Sequence, residues 1–428
     1  MEHYFLFVAY LILFAWLVTK VKFFTRSGFT NSQLVIIFLL KVMAGIFYGW
    51  IGVYYGEMAQ MIDTWAYHVE SLQEYRLLLS HPIDFFTSLF HNSYEGGYTN
   101  FLTSHNSWWN DVKANFLIKI MAIFDLFSFG NYYINVIFYS FLSLFAPIAI
   151  YRVMKDNFPN KKTPLLISIF LVPSFLYWTS GLHKEGLIFL GLALMAYHLY
   201  FGFKEKKFRV ARILLIVLGF CLVIILRNFL VLALLPSLFA WLLSQKIKLK
   251  PVIVFTAVFV LFLTLFFTIK YVVPSVDPPQ SVVAKRQEFI KLQGHSSVAV
   301  NELKPNFKSF LQNAPEAFSL AILRPYPSDV RHLLSLAAAM ETGLILLFFL
   351  IFVFWRKNGI PLSPFLMFCI FFSLSVAFMI GFSVNNLGAI VRYRSIIFPL
   401  ILAPMASKID WERINRLVFQ NIKNNNNN

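Results

Sequence analysis

Long apolar runs recur along the whole chain, and each is about as long as a membrane-spanning helix. A run of about 20 apolar residues covers a hydrocarbon core of ~30 Å. Backbone polar groups in lipid must bond within their own segment, so such runs predict helices. The runs lack the period-two alternation that a transmembrane strand would require. We predict eleven spans, at 3–19, 33–55, 131–151, 163–181, 185–203, 210–226, 229–244, 251–272, 331–355, 361–383 and 388–406.

The basic residues between these runs predict how the chain is oriented. If every predicted span crosses, six clusters of Lys and Arg fall on one side of the membrane. Short loops rich in Lys and Arg stay in the cytoplasm. The N-terminus is therefore predicted to lie outside, and the tail 407–428 in the cytoplasm. The clusters are Lys20, Lys22 and Arg26; Arg152, Lys155, Lys161 and Lys162; Lys204, Lys206, Lys207, Arg209 and Arg212; Lys246, Lys248 and Lys250; Arg356 and Lys357; Lys408, Arg413, Arg416 and Lys423.

Two long segments remain on the predicted outer side, at 56–130 and 273–330. The first is acidic and rich in Trp and Tyr, and the second is rich in Pro with a predicted helix at 281–292. We therefore predict an all-α fold. It is a single transmembrane helical bundle over 1–428 with two extracytoplasmic loop regions.

The end of the first outer segment, 115–130, is apolar but contains Lys119 and Asp125. Counting it as a span would place the five later basic clusters on the opposite side of the membrane from the first cluster. We therefore predict an interfacial, juxtamembrane helix there.

Composition agrees with a membrane protein and restricts its partners. Some 58% of the residues are apolar and 13% are charged, against roughly 25% charged in soluble domains. The net charge of +17 lies mainly in the short loops, so we predict contact with membrane lipids and not with nucleic acid. Both cysteines, Cys221 and Cys369, fall within apolar runs, and no disulfide framework is predicted.

Signals for a metal or nucleotide cofactor are weak. The chain has no Asp-x-Asp, His-Glu-x-x-His or glycine-rich phosphate-binding motif. His81, His91 and His105 of the first outer segment show no spacing typical of metal ligands. No cofactor is therefore predicted, and a divalent metal has no support in the sequence.

Asp63 is the main candidate for chemistry in the first outer segment. If the stretch 61–68 is helical, Asp63 and Tyr67 share a face at i, i+4 spacing, with His68 beside them. A carboxylate among aromatics at a membrane surface suits a general base that acts on a hydroxyl group. The alternative is a helix cap or a solvated acid.

Cationic residues collect at the outer ends of the predicted spans. Arg suits two-point contact with phosphate, and the N–H groups at a helix start bind anions. The pattern predicts a site for the phosphate of a donor. The alternatives are interfacial ion pairs, a rigid turn between two prolines and pairing with acids of the first outer segment. The predicted donor-binding residues are Tyr67, His68, Lys184, Glu185, Arg227, Arg324, Arg392, Tyr393 and Arg394.

At these residues the chain resembles the GT-C superfamily of membrane glycosyltransferases. Asp63 with Tyr67 is similar to the Asp-x-x-x-Tyr pattern of that family's first large outer loop. The stretches 178–185, 324–327 and 386–399 are similar to segments of bacterial envelope-polysaccharide proteins that are often grouped with it.

The resemblance implies an enzyme that uses a polyprenyl-phosphate sugar as donor, with Asp63 as the base. Lys184 and the outer arginines would be the ligands of the donor phosphate. The chain departs from the family in two respects. Its Asp follows the second span where the family's follows the first, and no second acid stands beside it.

The leading hypothesis is a glycosyltransferase that moves a sugar from a polyprenyl-phosphate donor to a glycan, lipid or protein acceptor, with inversion. One alternative is an O-antigen or exopolysaccharide polymerase or ligase with a diphosphate-linked donor, which the segment 273–330 would suit. Another is a lipid-glycan transporter. Few charges within spans and the absence of an internal repeat disfavour transport.

Overall fold

The computed structural model describes residues 2–54, 63–91, 108–292, 296–357 and 362–416. Over these ranges the regular structure is helical, and the only extended pairings are isolated bridges from Ser297 to Asn386 and from Arg356 to Ile409. The prediction of an all-α helical membrane protein is confirmed at this level.

The first part of the chain supplies helices α1 to α10. Trp108–Ser128 is the helix that covers residues 115–128 of the predicted interfacial stretch 115–130. The bounds are α1 Glu2–Lys20, α2 Lys22–Thr25, α3 Asn31–Tyr54, α4 Asp63–Ser80, α5 Pro82–Thr87, α6 Trp108–Ser128, α7 Tyr132–Asn157, α8 Lys162–Phe170, α9 Pro173–Ser180 and α10 Lys184–Glu205.

The second part supplies α11 to α19. The helix predicted at 281–292 is observed at Pro278–Lys291. The bounds are α11 Val210–Leu226, α12 Val231–Ser244, α13 Pro251–Thr268, α14 Pro278–Lys291, α15 Phe307–Phe318, α16 Leu333–Trp355, α17 Pro364–Ser383, α18 Leu387–Ser395 and α19 Phe398–Lys408.

Seven of the helices in the described ranges are long and apolar enough to cross a membrane: α1, α3, α7, α10, α13, α16 and α17. The pairs α8–α9 and α18–α19 meet the same standard as bent units, which raises the number to as many as nine. The predicted spans at 210–226 and 229–244 correspond to shorter apolar helices. The count of eleven spans therefore stays a prediction.

Both bent units break next to a proline. Pro173 begins α9, which is bent by 54° from α8, and Pro399 lies in the first turn of α19, which is bent by 61° from α18. Proline lacks an N–H group and disfavours helical geometry at the preceding residue, so a helix tends to stop before it. Each break turns a short helix toward the candidate site described below.

The charged residues that interrupt α6 are explained by its neighbours. Lys119 Nζ donates to Glu74 of α4 at 2.7 Å. The carboxylate of Asp125 accepts from Ser71 of α4 at 2.9 Å and from Asn135 of α7 at 2.7 Å. Because buried polar groups are stable when they are hydrogen-bonded, α6 packs closely on α4, whose first residue is Asp63.

The short helix α9 is held at both ends by buried charged residues of candidate spans. At its start, the N–H of Ser174 donates to Glu341 Oε1 at 2.8 Å. At its end, Lys41 Nζ donates to the Thr179 carbonyl at 3.2 Å and to the Ser180 hydroxyl at 3.1 Å. An acid at the start and a cation at the end are the arrangement that a helix dipole favours. The helix is therefore fixed between α3 and α16.

Helices α15 and α17 pack backbone against backbone at Gly381. A Cβ atom there would overlap the backbone carbonyl of Ala317. Backbone cannot move aside as easily as a flexible side chain, so this position requires glycine for its lack of a side chain.

We expect Gly381→Ala to destabilise the protein by roughly 1–3 kcal/mol, the usual cost of overpacking. Thermal unfolding of the purified protein in detergent measures the change. Gly343→Ala in α16 is the matched control, because a Cβ there meets nothing within 4 Å. The control is expected to be neutral or slightly more stable, since alanine favours helix over glycine. Equal melting temperatures for the two variants would contradict this account of the crossing.

Candidate functional site

The centre of the site is the carboxylate of Glu185, which lies in the first turn of α10 and is completely buried. One oxygen is hydrogen-bonded to Nδ1 of His183, and the other accepts from Nη2 of Arg227. Arg392 Nε lies 3.6 Å from that second oxygen. A buried charge is stable only when it is paired, so this one acid gathers three side chains from three parts of the chain.

Asp63 lies beside this cluster at the start of α4, with its side chain about half exposed. Its Oδ2 accepts from Arg392 Nη1 at 3.3 Å and lies 3.6 Å from His183 Nε2. The neighbouring Thr64 hydroxyl donates to the Leu182 carbonyl at 3.1 Å, which fixes α4 against the turn that carries His183. The imidazole and the Arg392 guanidinium therefore each bridge two carboxylates.

The surroundings hold the pKa of the Asp63 carboxyl well below its usual range. Burial favours the neutral acid, but the hydrogen bond from His183 and the charges of Arg392, His183 and Lys184 together outweigh it. Asp63 is therefore ionised at neutral pH. While Arg392 stays in contact, it is a weak base.

The two arginines share the ring of Tyr393. The guanidinium of Arg227 lies 4.0 Å from the ring centre and that of Arg392 5.0 Å from it. Arg392 Nη2 also donates to the Tyr393 hydroxyl at 3.2 Å. The Nη1 group of Arg227 is buried and finds no acceptor among the described residues. Arg227 can therefore donate a hydrogen bond from Nη1 to a bound anion.

Three lysines from three helices complete the charged surface: Lys113 of α6, Lys184 of α10 and Lys285 of α14. Lys184 Nζ lies 5.1 Å from the ring centre of Tyr67, and Lys285 Nζ lies 3.0 Å from Glu288 Oε2. Within the described ranges, neither Lys113 nor Lys184 has an acidic oxygen within salt-bridge distance.

The pKa of Lys113 is lowered to about 7. Burial is the main cause, and the positive charges of Lys184, Lys285 and Arg227 add to it. Near neutral pH this amine is therefore only partly protonated. An anion placed beside it would raise its pKa again and favour the charged form.

These side chains surround a cavity of about 180 Å³. Part of its wall is charged, and part is apolar. The apolar residues include Val376, Met379 and Ile380, which share one face of α17, and Val384, which directly follows its last residue. Since α17 is a candidate span, the cavity joins a charged site to the apolar part of the bundle. The charged lining is Asp63, Lys113, His183, Lys184, Arg227, Lys285 and Arg392, and Tyr393 adds its hydroxyl.

Arg394, a predicted phosphate ligand, lies outside the cavity. Its side chain is completely buried and donates to the carbonyls of Ala321 and Ile322 at 3.1 and 3.3 Å. It also donates to the Arg324 carbonyl and to the Thr342 hydroxyl, the latter at 2.6 Å. These partners tie α18 to a π-helical turn and to α16, so we assign Arg394 to packing and not to the donor.

Arg324 and His68 are also separate from the cavity lining. Arg324 Nη1 lies 3.5 Å from Asp329 Oδ1, within a turn that contains Pro325 and Pro327. His68 is buried, with its ring against Trp65 and Tyr132. The fold therefore does not bring these two predicted residues to the cavity.

Three His or Lys side chains that line the cavity are absent from the predicted set: His183, Lys113 and Lys285. His183 stands directly before Lys184 in the predicted turn, so the same local signal points to it. Lys113 and Lys285 come from the two outer segments, and nothing in the sequence distinguishes them from other lysines there. Only the tertiary packing brings them to the site.

The acids of the site do not form a metal-binding group. No set of three His, Cys, Asp or Glu side chains within the described ranges could hold a metal ion. Both oxygens of Glu185 are engaged by His183 and Arg227. We therefore assign no metal ligand.

Comparison with known proteins adds no identification. The chain matches no protein family, no curated protein and no solved structure. The resemblance to the GT-C superfamily rests on short motifs and stays an expectation. Any functional conclusion must therefore come from the geometry and charge of the cavity.

We expect Glu185→Gln to destabilise the protein by about 3–5 kcal/mol, because it leaves buried arginine charge without its shared acid. Thermal unfolding in detergent measures this. Glu302→Gln is the control, because Glu302 is 73% exposed and lies 3.8 Å from Lys304. An exposed ion pair contributes ~0–1 kcal/mol. A Glu185→Gln variant as stable as the control would refute the central role of this carboxylate.

Proposed function

We propose that the protein is a glycosyltransferase that moves a sugar from a lipid-linked phosphate donor to a glycan, lipid or protein acceptor. The observation that carries this proposal is the double character of the cavity. One ionised carboxylate and a group of cations share a single space with an apolar wall along α17. This lining suits a ligand that has both an anionic group and a hydrophobic chain.

The cations suit the phosphate of the donor. Arg227 and Arg392 offer planar guanidinium groups, which bind phosphate oxygens through paired N–H donors. Arg227 has a buried donor group that no acceptor in the described ranges engages. The apolar wall beside them suits a polyprenyl chain.

Asp63 is the proposed base. The hydroxyl of the acceptor loses its proton to the Asp63 carboxylate while its oxygen forms a bond to the anomeric carbon of the sugar. The bond from that carbon to the donor phosphate oxygen breaks, and the lipid phosphate leaves with the electron pair. Arg227 and Arg392 stabilise the charge on the leaving group. Attack opposite the leaving group gives inversion.

Donor binding would also activate the base. In the structure Arg392 contacts Asp63, and this contact helps to keep the pKa of the carboxyl low. A phosphate that draws the Arg392 guanidinium toward itself weakens this contact. The pKa of Asp63 then rises, and the carboxylate becomes a better acceptor for a proton. The base would thus gain strength only when the donor is present.

The proposed location is the extracytoplasmic face of a bacterial inner membrane. The face follows from the basic clusters between the predicted spans, which indicate the cytoplasmic side. The bacterial inner membrane is what the resemblance to envelope-polysaccharide proteins implies. The product would belong to the polysaccharides of the cell envelope. Partners are the lipid-linked sugar, the acceptor and the surrounding membrane lipids.

We expect Asp63→Asn to lower sugar transfer by roughly 10²–10⁴-fold, the usual contribution of a general base. The assay follows a radiolabelled sugar from polyprenyl-linked donors with purified protein. Glu70→Gln is the control, because Glu70 lies on the same helix, is exposed and lines no part of the cavity. Circular dichroism and melting temperature report on folding.

Equal transfer by wild type and the Asp63→Asn variant would remove Asp63 from the mechanism. Loss of transfer in the Glu70→Gln control as well would point to a general effect on α4. Absence of transfer by wild type from any lipid-linked sugar donor would count against the glycosyltransferase proposal itself.

A further inference from the structure

The charges of the cavity fall into two groups. The arginine group consists of Arg227 and Arg392, and Glu185 and Asp63 lie within 3.6 Å of it. Two positive and two negative charges balance within this group. It is therefore close to neutral before any ligand enters.

The lysine group consists of Lys113, Lys184 and Lys285. Lys285 has Glu288 as a partner at 3.0 Å. Across the part of the chain that the structure describes, no acidic side chain forms a salt bridge with Lys113 or Lys184. The lysine group thus carries an excess of two positive charges when Lys113 is protonated.

We propose that the cavity binds two linked phosphates, one at the arginine group and one at the lysine group, so that the donor is diphosphate-linked. This inference rests on the proposed function and names its substrate class. A sugar joined to a lipid through one phosphate carries one negative charge, and a sugar joined through two phosphates carries two. Because the arginine group is close to neutral, the cavity as a whole carries the excess of two positive charges, and only the diphosphate-linked donor matches it.

The protonation of Lys113 supplies a signature for this arrangement. Burial and its cationic neighbours lower the pKa of Lys113 to about 7. A phosphate beside the amine raises that pKa, so the complex takes up a proton when it forms at pH 7.5 to 8. Affinity for the diphosphate is then greatest below pH 7. It declines as the pH rises through 7 and Lys113 of the unliganded protein loses its charge.

Calorimetric titration of the full-length protein in detergent tests the inference. The probes are a short-chain polyprenyl monophosphate sugar and the diphosphate compound with the same chain and sugar. Titrations at pH 7.5 in two buffers of different ionisation enthalpy count the protons exchanged. We expect the diphosphate to bind at least tenfold more tightly, with proton uptake, and the monophosphate to bind without it.

Substitutions in the lysine group sharpen the test. Lys113→Gln is expected to remove most of the preference for the diphosphate and the proton uptake, and to leave monophosphate binding nearly unchanged. Lys113→Arg keeps the charge, so it should retain the preference but take up no proton. Lys304→Gln is the control, because Lys304 is 63% exposed and lies outside the cavity lining.

The outcomes separate this inference from the proposed function. Equal affinity for the two probes without proton uptake overturns the two-phosphate site and leaves a monophosphate donor for the glycosyltransferase. Preferential diphosphate binding without sugar transfer supports the site and counts against the reaction. If neither probe binds, both are overturned.

Discussion

The site depends on one buried carboxylate. Glu185 cannot remain ionised without partners, and the partners that it collects are a histidine from its own turn and arginines from two distant segments. Because its buried negative charge must be paired, α10, α18 and the break after α11 meet at this carboxylate. Asp63 joins through the same His183 and Arg392. The polar centre is therefore a network in which no member keeps its position alone.

Proline-induced breaks allow this network to lie beside apolar helices. An unbroken span would carry its charged residues away from the cluster along a straight axis. The bends of 54° and 61° let short helices end or begin at the site, where their polar ends meet the cavity. Irregular backbone is tolerated at such depth only where protein surrounds it or a cavity adjoins it. The breaks in the two bent units therefore lie near the polar site.

The sequence is informative about where the helices lie along the chain. Apolar length alone predicts α3, α7, α10 and the other candidate spans, because lipid leaves the backbone no alternative. Apolar length does not predict how each helix is rotated about its own axis. Arg392 and Arg394 are two residues apart on α18, yet one lines the cavity and the other is buried among carbonyls. Packing between helices decides this, and no local pattern records it.

The hydrogen bonds at both ends of α9 make this short helix a rigid connection between two candidate spans. The two residues that hold it, Lys41 and Glu341, belong to α3 and α16. His183 follows the last residue of α9 by three positions. A change in the spacing of α3 and α16 would move α9 and, with it, the imidazole of His183 between Asp63 and Glu185. Membrane thickness and lateral pressure act on such spacings. A change in the bilayer that altered this spacing would therefore act on the site.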